Sequence, residues 1–300
     1  MKLRGENIVL STDRTKNYIT YEKNQFKLIS LSSTIQGSRG ANSNVFILRD
    51  PQEIYEDRAI KICKSAKESG RPKDIGRLRR FGREIEALRI TKKKYFVVEY
   101  FFDGEIQINK RTYRYYVMEK GSSDLKEYIQ NNILTIDDKI LLCKQVLQAL
   151  YELHELGIYH RDIKPDNYFF IGDTWKIGDL GLIRYRHEDH SVDDPNDFIG
   201  PRGWVSPETM NKFLTFERDM EFSFDCNIDN ISDVFQLGNL FWFIFQGNVP
   251  IGRIRRKDFR LKYDDIYSVL ICMINHSKEK RPQIEILRKE LTRIFDKIAA

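Results

Sequence analysis

Short apolar runs, a few residues long and bounded by turn-forming or charged positions, mark the first part of the chain. "FKLISL", "NVFILR", "RAIKIC", "FVVEYFF" and "YRYYVME" are rich in aromatic and β-branched residues, which predicts strands. One segment breaks this pattern. In "IGRLRRFGREIEALRIT" the apolar residues Leu78, Phe81, Ile85 and Leu88 recur at three- and four-residue spacing, as on one face of a helix. The second half is mainly helical in its periodicity. "DDKILLCKQVLQALYELHELG" opens on acids suited to a helix N-terminus and closes at Gly157, a natural C-cap. "SDVFQLGNLFWFIFQG" and "DIYSVLICMINH" are apolar enough to lie in a core.

At 300 residues the chain suits one large two-lobed domain or two ordinary ones, and 41% hydrophobic residues allow a substantial core. A net charge of +6 suits acidic partners, but spread over this length it is not a nucleic-acid signature. Cys63, Cys143, Cys226 and Cys272 lie far apart without CxxC spacing. They read as reduced, mostly buried thiols, with neither a disulfide frame nor a zinc site. The densest apolar run, "LFWFIF" from Leu240 to Phe245, falls far short of the roughly 20 residues of a membrane span. The N-terminus lacks the apolar core of a signal peptide, so a cytoplasmic location is the default expectation.

Between Lys64 and Arg83 the chain is strongly basic: Lys64, Lys67, Arg71, Lys73, Arg77, Arg79, Arg80 and Arg83 face only Glu68 and Asp74. This is either a solvated loop running into an exposed helix face or a docking face for an acidic or phosphorylated partner.

The candidate chemistry gathers in "HRDIKPDN" and the "DLG" that follows a hairpin turning at Gly172 and Asp173. Asp162, Lys164, Asn167 and Asp179 bring two carboxylates, an ammonium and an amide toward one point. Phosphoryl transfer from a metal-bound nucleotide needs those groups: one carboxylate to orient the attacking hydroxyl, the other with the amide to hold divalent ions, and a lysine to neutralise charge on the moving phosphate.

The ordered set H-R-D-x-K-x-x-N, then D-x-G, then the "SPE" ending at Glu208, resembles the eukaryotic-type serine/threonine protein kinases. The resemblance runs from about residue 28 to about residue 290. It implies an α+β fold of two lobes: a small β-rich lobe over 26–118 with one key helix, a hinge at 119–121, and a larger, mainly helical lobe over 122–300. Residues 1–25 fall outside it and read as an extra strand pair, a docking arm or the edge of the lobe.

The resemblance also implies roles. Asp162 is the catalytic base, Lys164 contacts the γ-phosphate, and Asn167 and Asp179 hold Mg²⁺, or Mn²⁺ in its place. Lys61, mid-strand among apolar residues where a lone charge is costly, needs a partner, and Glu84 is the matching one. Together they aim at the phosphates of ATP. The alternative is a lysine pointing to solvent from an edge strand. In "IQGSRGANSNVF" the positions of a glycine-rich phosphate loop fall on Ser38, Gly40 and Ser43, of which only Gly40 is glycine. Val45 and Ala59 cover the adenine from above and Phe169, bulkier than the usual aliphatic residue, lies below. Met118 is the gatekeeper, and the backbone of Glu119 and Gly121 reads the adenine edge. Asp124 either reaches the ribose or caps a helix. Glu208 and Arg281 match a buried structural ion pair, and Asp233 matches the brace of the catalytic loop.

Arg161 before the catalytic aspartate implies a charge in the activation segment. Ser191 is the only serine or threonine between Leu182 and Val205, whereas Glu188, Asp189, Asp193, Asp194 and Asp197 supply acids. These either stand in for a phosphate facing Arg161 or form a solvated acidic loop. For the acceptor, Pro201 and Trp204 in "GPRGWVSPE" have a tyrosine-kinase character, while Lys164 has the serine/threonine one. Protein substrates are implied, with serine or threonine as acceptor and dual specificity as the alternative. A small-molecule phosphotransferase usually lacks "SPE" and the Asp233 helix; a nucleotide-binding pseudokinase rests on the depleted loop and Phe169.

Overall fold

The computed structural model describes residues 1–31, 42–187, 193, 198–201, 203–215, 218 and 224–299. These fall into two compact units, one of residues 1–93 with 98–120 and one of residues 94–97 with 121–299.

The first unit opens with a hairpin of β1 (Lys2–Arg4) and β2 (Asn7–Val9), turning at Gly5. Then follow β3 (Tyr18–Tyr21), β4 (Asn24–Ile29), β5 (Ser43–Arg49), β6 (Arg58–Ala66), helix α1 (Pro72–Ile90), β7 (Tyr100–Ile108) and β8 (Arg111–Glu119). Strands β3 to β8 form one antiparallel sheet in the order β3-β4-β5-β6-β8-β7. Residues 1–25 are therefore built into this unit, β3 as its edge strand. Alternation along the central strands sorts their side chains by face. Phe46, Leu48, Ile60, Ile62, Tyr115 and Val117 enter one apolar core. Val45, Ala59, Lys61, Tyr116 and Met118 alternate with them and so share the opposite face, in cross-strand rows Val45–Lys61–Tyr116 and Ile47–Ala59–Met118. The predicted strand over "FVVEYFF" is displaced: β7 starts at Tyr100, because Phe96 and Val97 bond instead to Ile177 of the second unit's small sheet.

Helix α1 buries more than the apolar stripe read from its sequence. Asp74, Arg77, Phe81, Glu84, Ile85 and Leu88 follow one another at helical spacing and are all buried. The basic stretch is thus not simply an exposed face. Arg77 and Arg83 are buried, Lys67 pairs with Glu105, and Lys73 and Arg77 both face Glu6.

The second unit runs β9 (Ser123–Asp124), α2 (Leu125–Asn131), α3 (Ile136–Glu155), β10 (Ile158–Tyr159), β11 (Tyr168–Ile171), β12 (Thr174–Ile177), β13 (Arg184–Tyr185), α4 (Pro207–Thr215), α5 (Asn230–Gln246), α6 (Asp264–Met273) and α7 (Ile284–Ala299). Its sheets are small, β12-β11-β9 and β10-β13. Helix α3 starts from a Thr135–Asp138 capping box rather than from an acid, and Gly157 follows its end at φ +68°. Helix α5, apolar nearly all round, is buried along almost its whole length and packs on α3 and α6. No helix among the described residues is long and apolar enough to cross a membrane. All four cysteines are free; Cys63 and Cys143 are buried as expected, but Cys226 is half-buried and Cys272 exposed.

Candidate active site

In the first unit, Lys61 lies at the centre of β6, flanked by β5 and β8, so it has no edge from which to reach solvent. Its Nζ is 2.7 Å from Glu84 Oε1, and both side chains are at most 9% exposed. Tyr116, beside Lys61 on β8, donates its hydroxyl to the same carboxylate oxygen at 2.8 Å, and Phe81 packs its ring on Tyr116. Glu84 is thus held by a strand, a helix and a phenol, which fixes where the ammonium points. Val45, Ala59 and Met118 lie on the same sheet face as Lys61. Ser43 is the first, buried residue of β5, and Ser38 and Gly40 lie outside the described residues. The Glu119 N–H donates to the Glu99 carbonyl, and the Glu119 carboxylate accepts from the Glu99 N–H.

In the second unit, Asp162, Lys164 and Asn167 form one bonded group. Asp162 Oδ2 accepts from Lys164 Nζ at 2.9 Å and from Asn167 Nδ2 at 2.9 Å, and Asn167 Nδ2 also donates to the Asp162 carbonyl at 2.8 Å. Burial raises the Asp162 carboxyl above the usual carboxylate range; the Lys164 charge opposes this and the Asp179 charge adds to it. Asp179 is brought to this loop by its neighbour Gly178, whose N–H donates to the Asn167 carbonyl at 2.9 Å and whose carbonyl contacts His160 Nε2 at 3.1 Å. Asp179 takes a left-handed backbone, φ +53°, which aspartate tolerates better than most residues.

Because the Asn167 amide nitrogen is spent on Asp162, its oxygen is the atom left for a cation. An amide oxygen with the Asp179 carboxylate is a hard donor set of the kind Mg²⁺ takes. Phe169 lies on β11 against Gly121, where an added Cβ would stand 2.8 Å from the Phe169 Cβ. Position 121 therefore has to be glycine beside this phenylalanine. Asp124 caps α2, accepting from the Glu127 N–H at 2.8 Å.

The loop that carries Asp162 is braced from α5. Asp233 accepts from the N–H groups of His160 and Arg161, both at 2.7 Å, and meets His154 Nε2 at 2.9 Å. Gln236 continues the brace, accepting from the Ile163 N–H and donating to the Arg161 carbonyl. Gln236, His154 and Tyr116 were not singled out from the sequence. Gln236 carried a signal, a polar side chain one turn beyond Asp233 in an otherwise apolar helix.

Arg161 is 2% exposed and adopts φ +63°. It donates to the carbonyls of Leu182 and Ile183, and its Nη2 lies 2.7 Å from Asp193 Oδ2. Glu188, Asp189, Ser191, Asp194 and Asp197 lie outside the described residues. Farther along, Glu208 and Arg281 form a buried pair at 2.7 Å. Pro201 is buried, and Trp204 donates its N–H to the Pro201 carbonyl while its ring packs on Phe243.

The model of the protein kinase domain matches residues 37–300. The chain is 26% identical over 247 residues to the serine/threonine-protein kinase cds1 of Schizosaccharomyces pombe, covering 80% of this chain and 48% of that protein. It is 26% identical over 204 residues to human serine/threonine-protein kinase Nek2, covering 66% of this chain and 42% of that protein. It is 22% identical over 217 residues to the mouse dual specificity protein kinase TTK, covering 72% and 24%. The chain thus spans less than half the length of each of these relatives. With the domain model matched over most of its length, and with a β-rich N-terminal region followed by a helical one, the chain belongs to the eukaryotic-type protein kinase family.

Proposed function

We propose that the chain transfers the γ-phosphate of ATP to serine and threonine hydroxyls of protein substrates, itself included. The observation that carries this reading is the bonded group of Asp162, Lys164 and Asn167, with the lysine ammonium on the aspartate carboxylate. Asp162 orients the acceptor hydroxyl and takes its proton as the new oxygen–phosphorus bond forms and the bond to the β-phosphate oxygen breaks, releasing ADP. Lys164 neutralises charge on the transferred group. In the first unit Lys61, aimed by Glu84, receives the α- and β-phosphates, Val45 and Ala59 cover the adenine, and Met118 and Glu119 border its edge; the second unit offers Gly121 and Phe169 to the same ring. Mg²⁺, with Asn167 and Asp179 as its ligands, would screen the phosphate charge.

Lys164 supports a serine or threonine acceptor, since a group touching the transferred phosphate constrains the reaction more directly than one shaping the groove. Pro201 and Trp204 support the second reading, dual specificity. Incubation with labelled ATP and Mg²⁺, beside Asp162→Ala and Lys61→Ala, tests the reaction. Label on serine or threonine of a protein substrate in the unaltered chain alone is expected. Label on tyrosine alone would overturn the acceptor assignment, and no label at all would leave a nucleotide-binding module.

The Arg161–Asp193 pair supports a constitutive charge in place of phosphorylation. Asp193→Asn is then expected to lower activity while Ser191→Ala leaves it intact. The reverse outcome would assign the switch to phosphorylation of Ser191.

A further inference from the structure

The β1–β2 hairpin precedes the stretch matched by the domain model, which begins at residue 37. It is nevertheless bound to the two elements that carry Val45 and Glu84. Ile8 is fully buried in the core of the first unit, and its N–H donates to Asn44 Oδ1 at 3.0 Å, one residue before Val45 on β5. On the other side of the hairpin, Glu6 lies 3.7 Å from Arg77 Nη2 and 3.8 Å from Lys73 Nζ, both on α1.

Arg77 is the centre of this contact. At 6% exposure its charge needs partners. Its Nη1 donates to Ser65 Oγ at 3.1 Å and stands 3.5 Å from Asp74, and its Nε donates to Asn42 Oδ1 at 3.2 Å. Asp74 is already shared with Ser65, Ser69 and Arg71. Around this corner Arg71, Lys73 and Arg77, with Lys64 near enough to feel both Arg77 and Glu6, set positive charge against Asp74, and Glu6 adds a second negative charge.

The position of Arg77 matters because of its spacing. Glu84 follows it by seven residues, two helical turns on the same face, and Ser65 follows Lys61 by four residues along β6. Helix α1 is therefore pinned to β6 at two points: the Lys61–Glu84 pair, and the Arg77–Asp74–Ser65 cluster that the hairpin closes.

We propose that the β1–β2 hairpin, through Glu6 and Ile8, is a positioning clamp that holds α1 and β5 so that Lys61 meets Glu84. The clamp rests on the reading of that pair as nucleotide-binding machinery. It makes phosphoryl transfer depend on a segment outside the domain model.

The test uses the full chain with Glu6→Lys, which adds a further cation beside Arg77 and Lys73, Glu6→Gln, and Arg4→Ala on the exposed part of the same hairpin as control. Amide hydrogen exchange over residues 72–90, the melting temperature, and kcat and KM for ATP are measured well below the melting transition. Glu6→Lys is expected to speed exchange in α1 and to lower kcat/KM for ATP about fivefold, as misplacement of a phosphate-binding group does. Glu6→Gln has an effect of about twofold, since Glu6 is half-exposed and its charge is screened. Arg4→Ala changes neither. Unchanged exchange in α1 overturns the clamp. So does a lower melting temperature with kcat/KM unaltered, which makes the hairpin a stabiliser only. Exchange needs no turnover, so faster α1 exchange in a chain that transfers no phosphate supports the clamp and overturns the enzymatic reading instead.

Discussion

Asp162 is buried with its carboxyl raised, so its ionised form is held at a cost, one that the proposed role as base calls for. The sign follows from linkage. A carboxyl whose folded-state pKa lies above its unfolded value favours the fold when protonated, and that contribution is lost as pH rises through the folded pKa. Asp162→Asn is therefore expected to melt no lower than the unaltered chain near neutral pH, with any advantage shrinking in acid. Its kcat should fall by about 10²–10⁴-fold, the range for a lost general base. Thermal melts over a pH series beside steady-state rates check both halves. Lys61 and Glu84 behave differently because both are charged and almost fully buried. Removing one partner leaves an uncompensated charge, costing about 3–5 kcal/mol, whereas Lys61→Met with Glu84→Leu removes both. Denaturant unfolding should rank each single variant below the double variant, and all three should be inactive.

At the scale of elements, the α1 stripe shows how far sequence periodicity reaches. Its apolar members were legible at helical spacing, but Asp74, Arg77 and Glu84 share the buried face and carry the polar contacts to β6. A polar residue in a stripe does not reveal whether a strand partner awaits it. Asp74 illustrates the consequence. Burial alone would raise its carboxyl, but hydrogen bonds from Ser65, Ser69 and Arg71 and the Arg71 charge bring it down to about 2. Its contribution to stability is present above the ordinary aspartate value and is lost as pH falls from about 4 toward about 2. Asp74→Asn should therefore be less stable than the unaltered chain near neutral pH, the difference vanishing at the acid end of that window. Helix α3 gives a simpler case. Its true N-cap, Thr135, precedes the acids taken as its start, and Thr135→Ala should cost about 1 kcal/mol in denaturant unfolding without touching the rate.

At the scale of the whole molecule, contacts between residues remote in sequence do the joining. Glu208 and Arg281 meet at 2.7 Å in full burial, and Arg281 also donates to the carbonyls of Asn275 and His276. Arg281→Ala is expected to cost about 3–5 kcal/mol, on the order of 10 °C in melting temperature, read by calorimetry. The ordered motif from His160 to Glu208 was enough to point to the protein kinase family, because side-chain types at fixed spacing along one loop and one segment are legible without the fold. Strand and helix content followed from periodicity for the same local reason. Other features depend on groups that the chain brings together from far apart. Gln236 joining Asp233 in bracing the loop, His154 meeting Asp233, Tyr116 sharing Glu84, and residues 1–9 built against α1 were decided by packing. A buried polar group must find its partner wherever the fold places one, and that distance in sequence has no local signature.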